Sequence, residues 1–207
     1  STLYAWQADG LPVAGYPAAL PDAALAAPAL GDLDGDGHPE AVVICRDGSV
    51  AALDEQGHAR PGWPARVAAT GALPPLLGDL DGDGRLDVVV PEANGRLTAL
   101  APDGTLRSGW PRLTGAPLVG EPALVDLDGD GRAEIAVALA DRRVVVYQGD
   151  GAPRAGFPVT LKETPAAGPL DPPRHCSWPA QASACACSRK TLTRGSISAN
   201  RSCPATP

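Results

Sequence analysis

Three nonapeptides concentrate the acidic chemistry of this chain. Asp32 to Glu40, Asp79 to Asp87 and Asp126 to Glu134 all follow the pattern Asp-x-Asp-x-Asp-Gly-x-x-Asp/Glu. Together they hold twelve of the 24 Asp and Glu residues. Four carboxylates within nine residues repel one another unless a cation compensates. Calcium suits such a loop, because it takes about 6–8 oxygen ligands at roughly 2.3–2.6 Å in flexible geometry. Asp32, Asp34 and Asp36, then Asp79, Asp81 and Asp83, then Asp126, Asp128 and Asp130 supply the first, third and fifth positions. Backbone carbonyls of His38, Arg85 and Arg132 supply the seventh, and Glu40, Asp87 and Glu134 the ninth. Gly37, Gly84 and Gly131 permit the sharp turn. The expectation is one Ca2+ per loop, about three ions in all, and all-oxygen ligation disfavours zinc or copper.

Two other readings of the loops are weaker. A solvated acidic turn that binds nothing does not account for the same spacing returning three times. An EF-hand needs a bidentate acid at its twelfth position and flanking helices. Val43, Val90 and Val137 stand there, each in a strand-like run.

The elements that position the loops form a repeat of 47 residues. Gly-aromatic-Pro recurs without slip at Gly15-Tyr16-Pro17, Gly62-Trp63-Pro64, Gly109-Trp110-Pro111 and Gly156-Phe157-Pro158. Trp6, Leu53, Leu100 and Tyr147, each four residues before a turn glycine, keep the same step. One unit reads entirely as strand. Pro75 to Gly78 enters the acidic loop, Asp87 to Val90 leaves it, and Asn94-Gly95 is a strong hairpin turn. Leu97 to Leu100, the turn Asp103-Gly104 and a fourth strand over Leu106 to Leu113 complete it. Four antiparallel strands in a unit of this length make one propeller blade. No segment carries a helical period over ten residues, so stacked helix pairs are excluded.

The predicted fold class is therefore all-β: β-propeller blades, each a four-stranded antiparallel meander, in an incomplete ring. Residues 1–164 form the repeat region, with a partial blade over 1–17 and blades at about 18–64, 65–111 and 112–158. In a meander, successive turns alternate between two rims. The acidic loops share one rim with Gln56-Gly57, Asp103-Gly104 and Asp150-Gly151, while Asp47-Gly48, Asn94-Gly95 and Asp141-Arg142 lie on the other. Each acidic loop is expected to be local to its blade.

At this point the three units resemble the FG-GAP/VCBS class of repeats, which build integrin-α-type calcium-binding β-propellers. The resemblance spans roughly residues 3 to 164. In that family the acidic loop joins the first two strands of a blade and holds one calcium. Glu40 and Glu134 depart from the usual Asp at the ninth position. The Gly-Trp-Pro marker is similar to bacterial secreted variants. The resemblance implies a secreted or cell-surface module for adhesion, scaffolding or sugar binding. Its partner would be a protein or carbohydrate, together with further blades of the ring.

Composition narrows the alternatives. Gly 24 and Pro 23 favour short strands and tight turns over long helices. Up to residue 164 the chain carries 12 Lys and Arg against 23 Asp and Glu, or −11, and from 165 onward 5 against 1, or +4. An acidic body argues against nucleic acid as a partner, and no apolar run is long enough for a membrane span. No signal peptide is visible. Catalytic motifs are lacking: there is no Gly-x-Ser-x-Gly, no His-Glu-x-x-His and no phosphate loop, so no catalytic residue is assigned and the chain reads as a non-enzyme. The competing reading is the propeller part of a secreted carbohydrate-active enzyme such as a polysaccharide lyase.

Two further series recur with the repeat. Trp63, Trp110 and Phe157 form either a sugar-stacking row or packing keys between blades, and packing is favoured. Arg60, Arg107 and Arg154 either pair with the acidic loop or form an anion site, and pairing is favoured. The region 165–207 differs in kind: an irregular or disordered Cys/Pro/Ser-rich tail with Cys176, Cys185, Cys187 and Cys203. Zinc ligation with His175, disulfides, disorder and a departure from the native reading frame all stand open. The abrupt loss of the period after Leu170 favours the last.

Overall fold

The structure, a computed structural model, describes residues 1–68 and 71–164. The tail, including His175 and the four cysteines from Cys176 to Cys203, lies outside the described residues. Among the described residues, fourteen strands run in chain order. They are β1 (Thr2–Leu3), β2 (Ala18–Ala19), β3 (Ala29–Gly31), β4 (Glu40–Ile44), β5 (Ser49–Leu53), β6 (Ala65–Arg66) and β7 (Leu76–Gly78). There follow β8 (Asp87–Pro91), β9 (Arg96–Leu100), β10 (Arg112–Leu113), β11 (Ala123–Val125), β12 (Glu134–Ala138), β13 (Arg143–Tyr147) and β14 (Val159–Thr160). No helix occurs among the described residues.

The strands form three four-stranded antiparallel meanders, β3 to β6, β7 to β10 and β11 to β14, preceded by the pair β1–β2. The fold is the all-β, propeller-type repeat that the 47-residue period predicts, with the ring not closed. Each meander begins beside its acidic loop and ends just past its Gly-aromatic-Pro. Ala18–Ala19 therefore belongs to the sheet of β1, and Ala65–Arg66 to the sheet of β3.

The fourth strand differs from the sequence expectation. Leu106 to Leu113 is not one strand. Leu106 makes an isolated bridge with Leu100, and pairing resumes only at Arg112–Leu113. Between them Gly109 turns the chain at φ +85°, and Pro111 has no N–H to offer a ladder. The same interruption follows Leu53 and Tyr147, and all four aromatic-Pro bonds are cis.

The central strands of the first two meanders are buried on both faces because each of those sheets lies between two neighbours. Val42, Ile44, Val50 and Ala52 pack with Trp63 against Val88, Val90 and Leu100 of the next sheet. Val43, Cys45, Ala51 and Leu53 point the other way, onto Ala18, Leu20 and Tyr16. Val89, Leu97 and Ala99 pack with Trp110 against Ile135, Val137 and Tyr147. Period-two alternation thus serves two apolar interfaces, which is why these strands read as nearly continuous apolar runs.

Candidate metal centres

Each acidic loop joins the first two strands of a sheet. Its ends are fixed by pairing of Gly31 with Glu40, Gly78 with Asp87 and Val125 with Glu134. The first aspartate organises the turn. Asp32 accepts N–H groups from Gly35 at 2.7 Å, Asp36 at 3.2 Å and Gly37 at 2.9 Å. Asp79 and Asp126 repeat this with Gly82 and Gly129, both at 2.7 Å, and with Gly84 and Gly131. These donors hold Asp32 and Asp126 below the ordinary carboxylate range, led by the N–H of Gly37 and of Gly131. Both stay ionised, Asp126 exposed and Asp32 half-buried at the loop mouth.

The fifth-position carboxylates accept the N–H of the seventh residue: Asp36 from His38 at 2.8 Å, Asp83 from Arg85 at 2.8 Å and Asp130 from Arg132 at 2.9 Å. The ninth-position acids are buried, Glu40, Asp87 and Glu134 being 0%, 1% and 4% exposed. Each accepts a loop N–H, from Leu33 at 2.7 Å, Leu80 at 2.9 Å and Leu127 at 2.8 Å. Burial pushes Asp87 up to about 6, against the opposing pull of the Leu80 N–H and Arg107. Glu40 is also raised by burial, with Leu33 and Arg60 opposing.

Three carboxylates converge in every loop. Ligand oxygens of Asp32, Asp34 and Asp36, of Asp79, Asp81 and Asp87, and of Asp126, Asp128 and Glu134 lie within 4.8 Å of one another. The first and third positions contribute each time. The remaining member is the fifth position in the first loop and the ninth in the others. This donor set is all carboxylate oxygen, converging at a turn where a Cβ on Gly37, Gly84 or Gly131 would meet nothing within 4 Å. It fits a hard divalent cation and does not suit a soft one.

Sequence reasoning missed one relationship. The second and third loops touch: Ala133 N–H donates to the Asp79 carbonyl at 2.7 Å, and the Arg132 side chain lies 3.3 Å from a Cβ built on Gly82. The loops are therefore not strictly local to their blades. Nothing in the spacing signals a contact between residues 54 apart.

The arginine and aromatic series resolve as well. Arg60, Arg107 and Arg154 pair with the acidic loops of their own sheets. Trp63 and Trp110 are buried, and each indole N–H bonds to the next sheet.

With this geometry in place, two matches to the FG-GAP-like repeat profile, at residues 32–90 and 79–137, together cover just over half of the chain. The chain belongs to the FG-GAP-like repeat family. Among solved structures, this FG-GAP-like chain is similar to BBS1N crystallised in complex with ARL6DN and soaked with lead. There the identity is 20%, the TM-score 0.58, and coverage 78% of this chain and 47% of that one. The mercury-soaked form of that complex matches at 20% identity and TM-score 0.57, with the same coverage. BamB from Moraxella catarrhalis matches at 24% identity over 64% of this chain and 36% of its own, with a TM-score of 0.45. The chain thus spans less than half the length of these structures. No curated protein matches it.

Proposed function

We propose that this FG-GAP-like module is a calcium-stabilised binding or scaffolding propeller that works outside the cell and catalyses no reaction. The observation that carries the calcium reading is the threefold convergence of carboxylates at equivalent loops on one rim. Asp32, Asp34 and Asp36 would hold the first ion, Asp79, Asp81 and Asp87 the second, and Asp126, Asp128 and Glu134 the third. The ion supplies positive charge that the crowded carboxylates lack, and ties the first two strands of each sheet together.

Further blades are the first partner. Tyr4 and Trp6 stack at 5.6 Å and are 57% and 63% exposed, and Leu30 is 71% exposed. An apolar surface of this kind is the face that a neighbouring blade covers in the repeats that follow. A protein or carbohydrate ligand is assigned to the rim bearing Asp47, Asn94 and Asp141, opposite the metal loops. Recognition of a protein by this architecture has a precedent in BBS1N with ARL6DN.

Thermal melts in calcium and in chelator test the reading. Ions that bind only the folded state add about 2.7 kcal/mol per site at a hundred times Kd. Titration calorimetry should then give a stoichiometry near three. Superimposable melts and a flat isotherm would remove calcium from the account.

A further inference from the structure

Each loop already contains a cation of its own. Arg107 reaches Asp81 Oδ2 at 2.9 Å and Asp87 Oδ1 at 2.6 Å. Arg154 reaches Asp128 Oδ2 at 2.9 Å and Glu134 Oε1 at 2.6 Å, in contact as a charge without hydrogen-bond alignment at Nη1. Arg60 bridges Asp34 and Glu40, the latter at 3.2 Å. The three arginine side chains are only 16–19% exposed. An exposed ion pair contributes little, but here one guanidinium joins the third- and ninth-position acids, and the ninth is buried.

The consequence lies in what remains for a metal. Both oxygens of each ninth-position acid are engaged by the chain. In the second loop Asp87 Oδ2 takes the Leu80 N–H and Oδ1 takes Arg107. Glu40 is held by Leu33 and Arg60, and Glu134 by Leu127 and Arg154. The guanidinium of Arg60 takes the first loop from −4 to −3, and those of Arg107 and Arg154 take the second and third, which already carry Arg85 and Arg132, from −3 to −2. The third-position carboxylate faces this fixed charge on one side and the metal cluster on the other.

We propose that Arg60, Arg107 and Arg154 are built-in counter-cations. They keep each acidic loop folded without a metal, and they weaken the loop's hold on calcium. This rests on the calcium reading above. A unit positive charge about 5 Å from a divalent ion, even at water-like dielectric, corresponds to roughly a tenfold loss of affinity. The arginines therefore set how strongly the module depends on calcium.

The test uses the full chain with R107Q, which keeps polar reach without charge, and R107K, which keeps the charge without the two-pronged geometry. Calorimetry should show one of the sites binding calcium roughly tenfold tighter in R107Q, and little change in R107K. The R107Q melting midpoint should fall in chelator and return close to the parent value in excess calcium. An R107Q loss equal in both conditions, or a calcium affinity unchanged or weakened, would overturn the proposal. If the parent chain binds no calcium, the calcium reading fails together with the affinity half of this inference. The folding half is then decided in chelator by a double-mutant cycle of D81N with R107Q. A counter-cation requires D81N to relieve part of the R107Q loss, and strictly additive losses refute it.

Discussion

Trp63 donates its indole N–H to the carbonyl of Pro102, in the neighbouring sheet, at 3.0 Å. Trp110 does the same to Gly149 at 2.9 Å, and the Tyr16 hydroxyl donates to Asp54 at 3.0 Å. The aromatic of each Gly-aromatic-Pro thus staples its sheet to a turn of the next one. A sugar-stacking row would need these rings on the surface, and both tryptophans are buried. Phe157 closes the series without a donor.

The staple predicts a cost for losing one N–H. Trp63→Phe keeps most of the packing but strands the Pro102 carbonyl, so it should cost about 1 kcal/mol in urea unfolding. Phe157→Leu should be close to neutral, because Phe157 is only half-buried. Equal costs for the two changes would refute the stapling role.

A matched pair of glycines separates conformational strain from close approach. Gly109 and Gly156 share nearly the same backbone, at φ +85° and +88°. A Cβ on Gly109 would fall 1.9 Å from the Asp150 carbonyl oxygen, whereas one on Gly156 would meet nothing within 4 Å. Gly156→Ala should cost about 1 kcal/mol from the left-handed backbone alone. Gly109→Ala should cost about 1–3 kcal/mol more, because the adjacent sheet must move. Calorimetric melts of the two variants check this, and similar values would contradict the inter-sheet contact.

Arg142 occupies the turn position that Gly48 and Gly95 take in the preceding sheets, at φ +73°. A side chain in that region carries strain that glycine avoids. Arg142→Gly should therefore stabilise the chain by about 1 kcal/mol. Denaturant unfolding at low calcium would show the gain, and a loss would mean that the exposed Arg142 side chain holds a contact of its own.

Asp87 gives the metal-free chain an unusual pH dependence. Its carboxyl is raised from 3.8 to about 6 by burial, so the folded state binds its proton more tightly than the unfolded state does. This contribution is full below about pH 4, declines as pH rises, and is gone above the folded value near 6. In chelator, the stability of the parent relative to Asp87→Asn should fall by roughly 2 kcal/mol between pH 4 and pH 7. A difference that does not vary with pH would place Asp87 in a polar setting like that of Asp32.

The repeat, the strand pattern and the acidic loops were legible because their signals are local. An Asp-x-Asp-x-Asp-Gly run folds on itself through Asp32 and the N–H groups three to five residues later. Asn94-Gly95 dictates its own turn, and alternating apolar residues mark a strand wherever it packs. Repetition at 47 residues multiplied each of these signals. The fourth strand was misread because apolar content over Leu106 to Leu113 hid the breaks at Gly109 and Pro111.

What only the tertiary structure decided are relationships across sheets and across faces. The stacking of one sheet on the next places Pro102 over Trp63 and Asp79 against Ala133, pairs 39 and 54 residues apart in the chain. The equal spacing of acids does not distinguish the half-buried Asp32, whose carboxylate is tied to loop N–H groups, from Glu40, fully buried between Leu33 and Arg60. That distinction arises because the ninth position is also the first residue of a strand sandwiched between two sheets. A carboxylate there must be satisfied by the chain itself. Local spacing determined which residues form the loop, and desolvation by neighbouring sheets determined which of them face the solvent and which brace the fold.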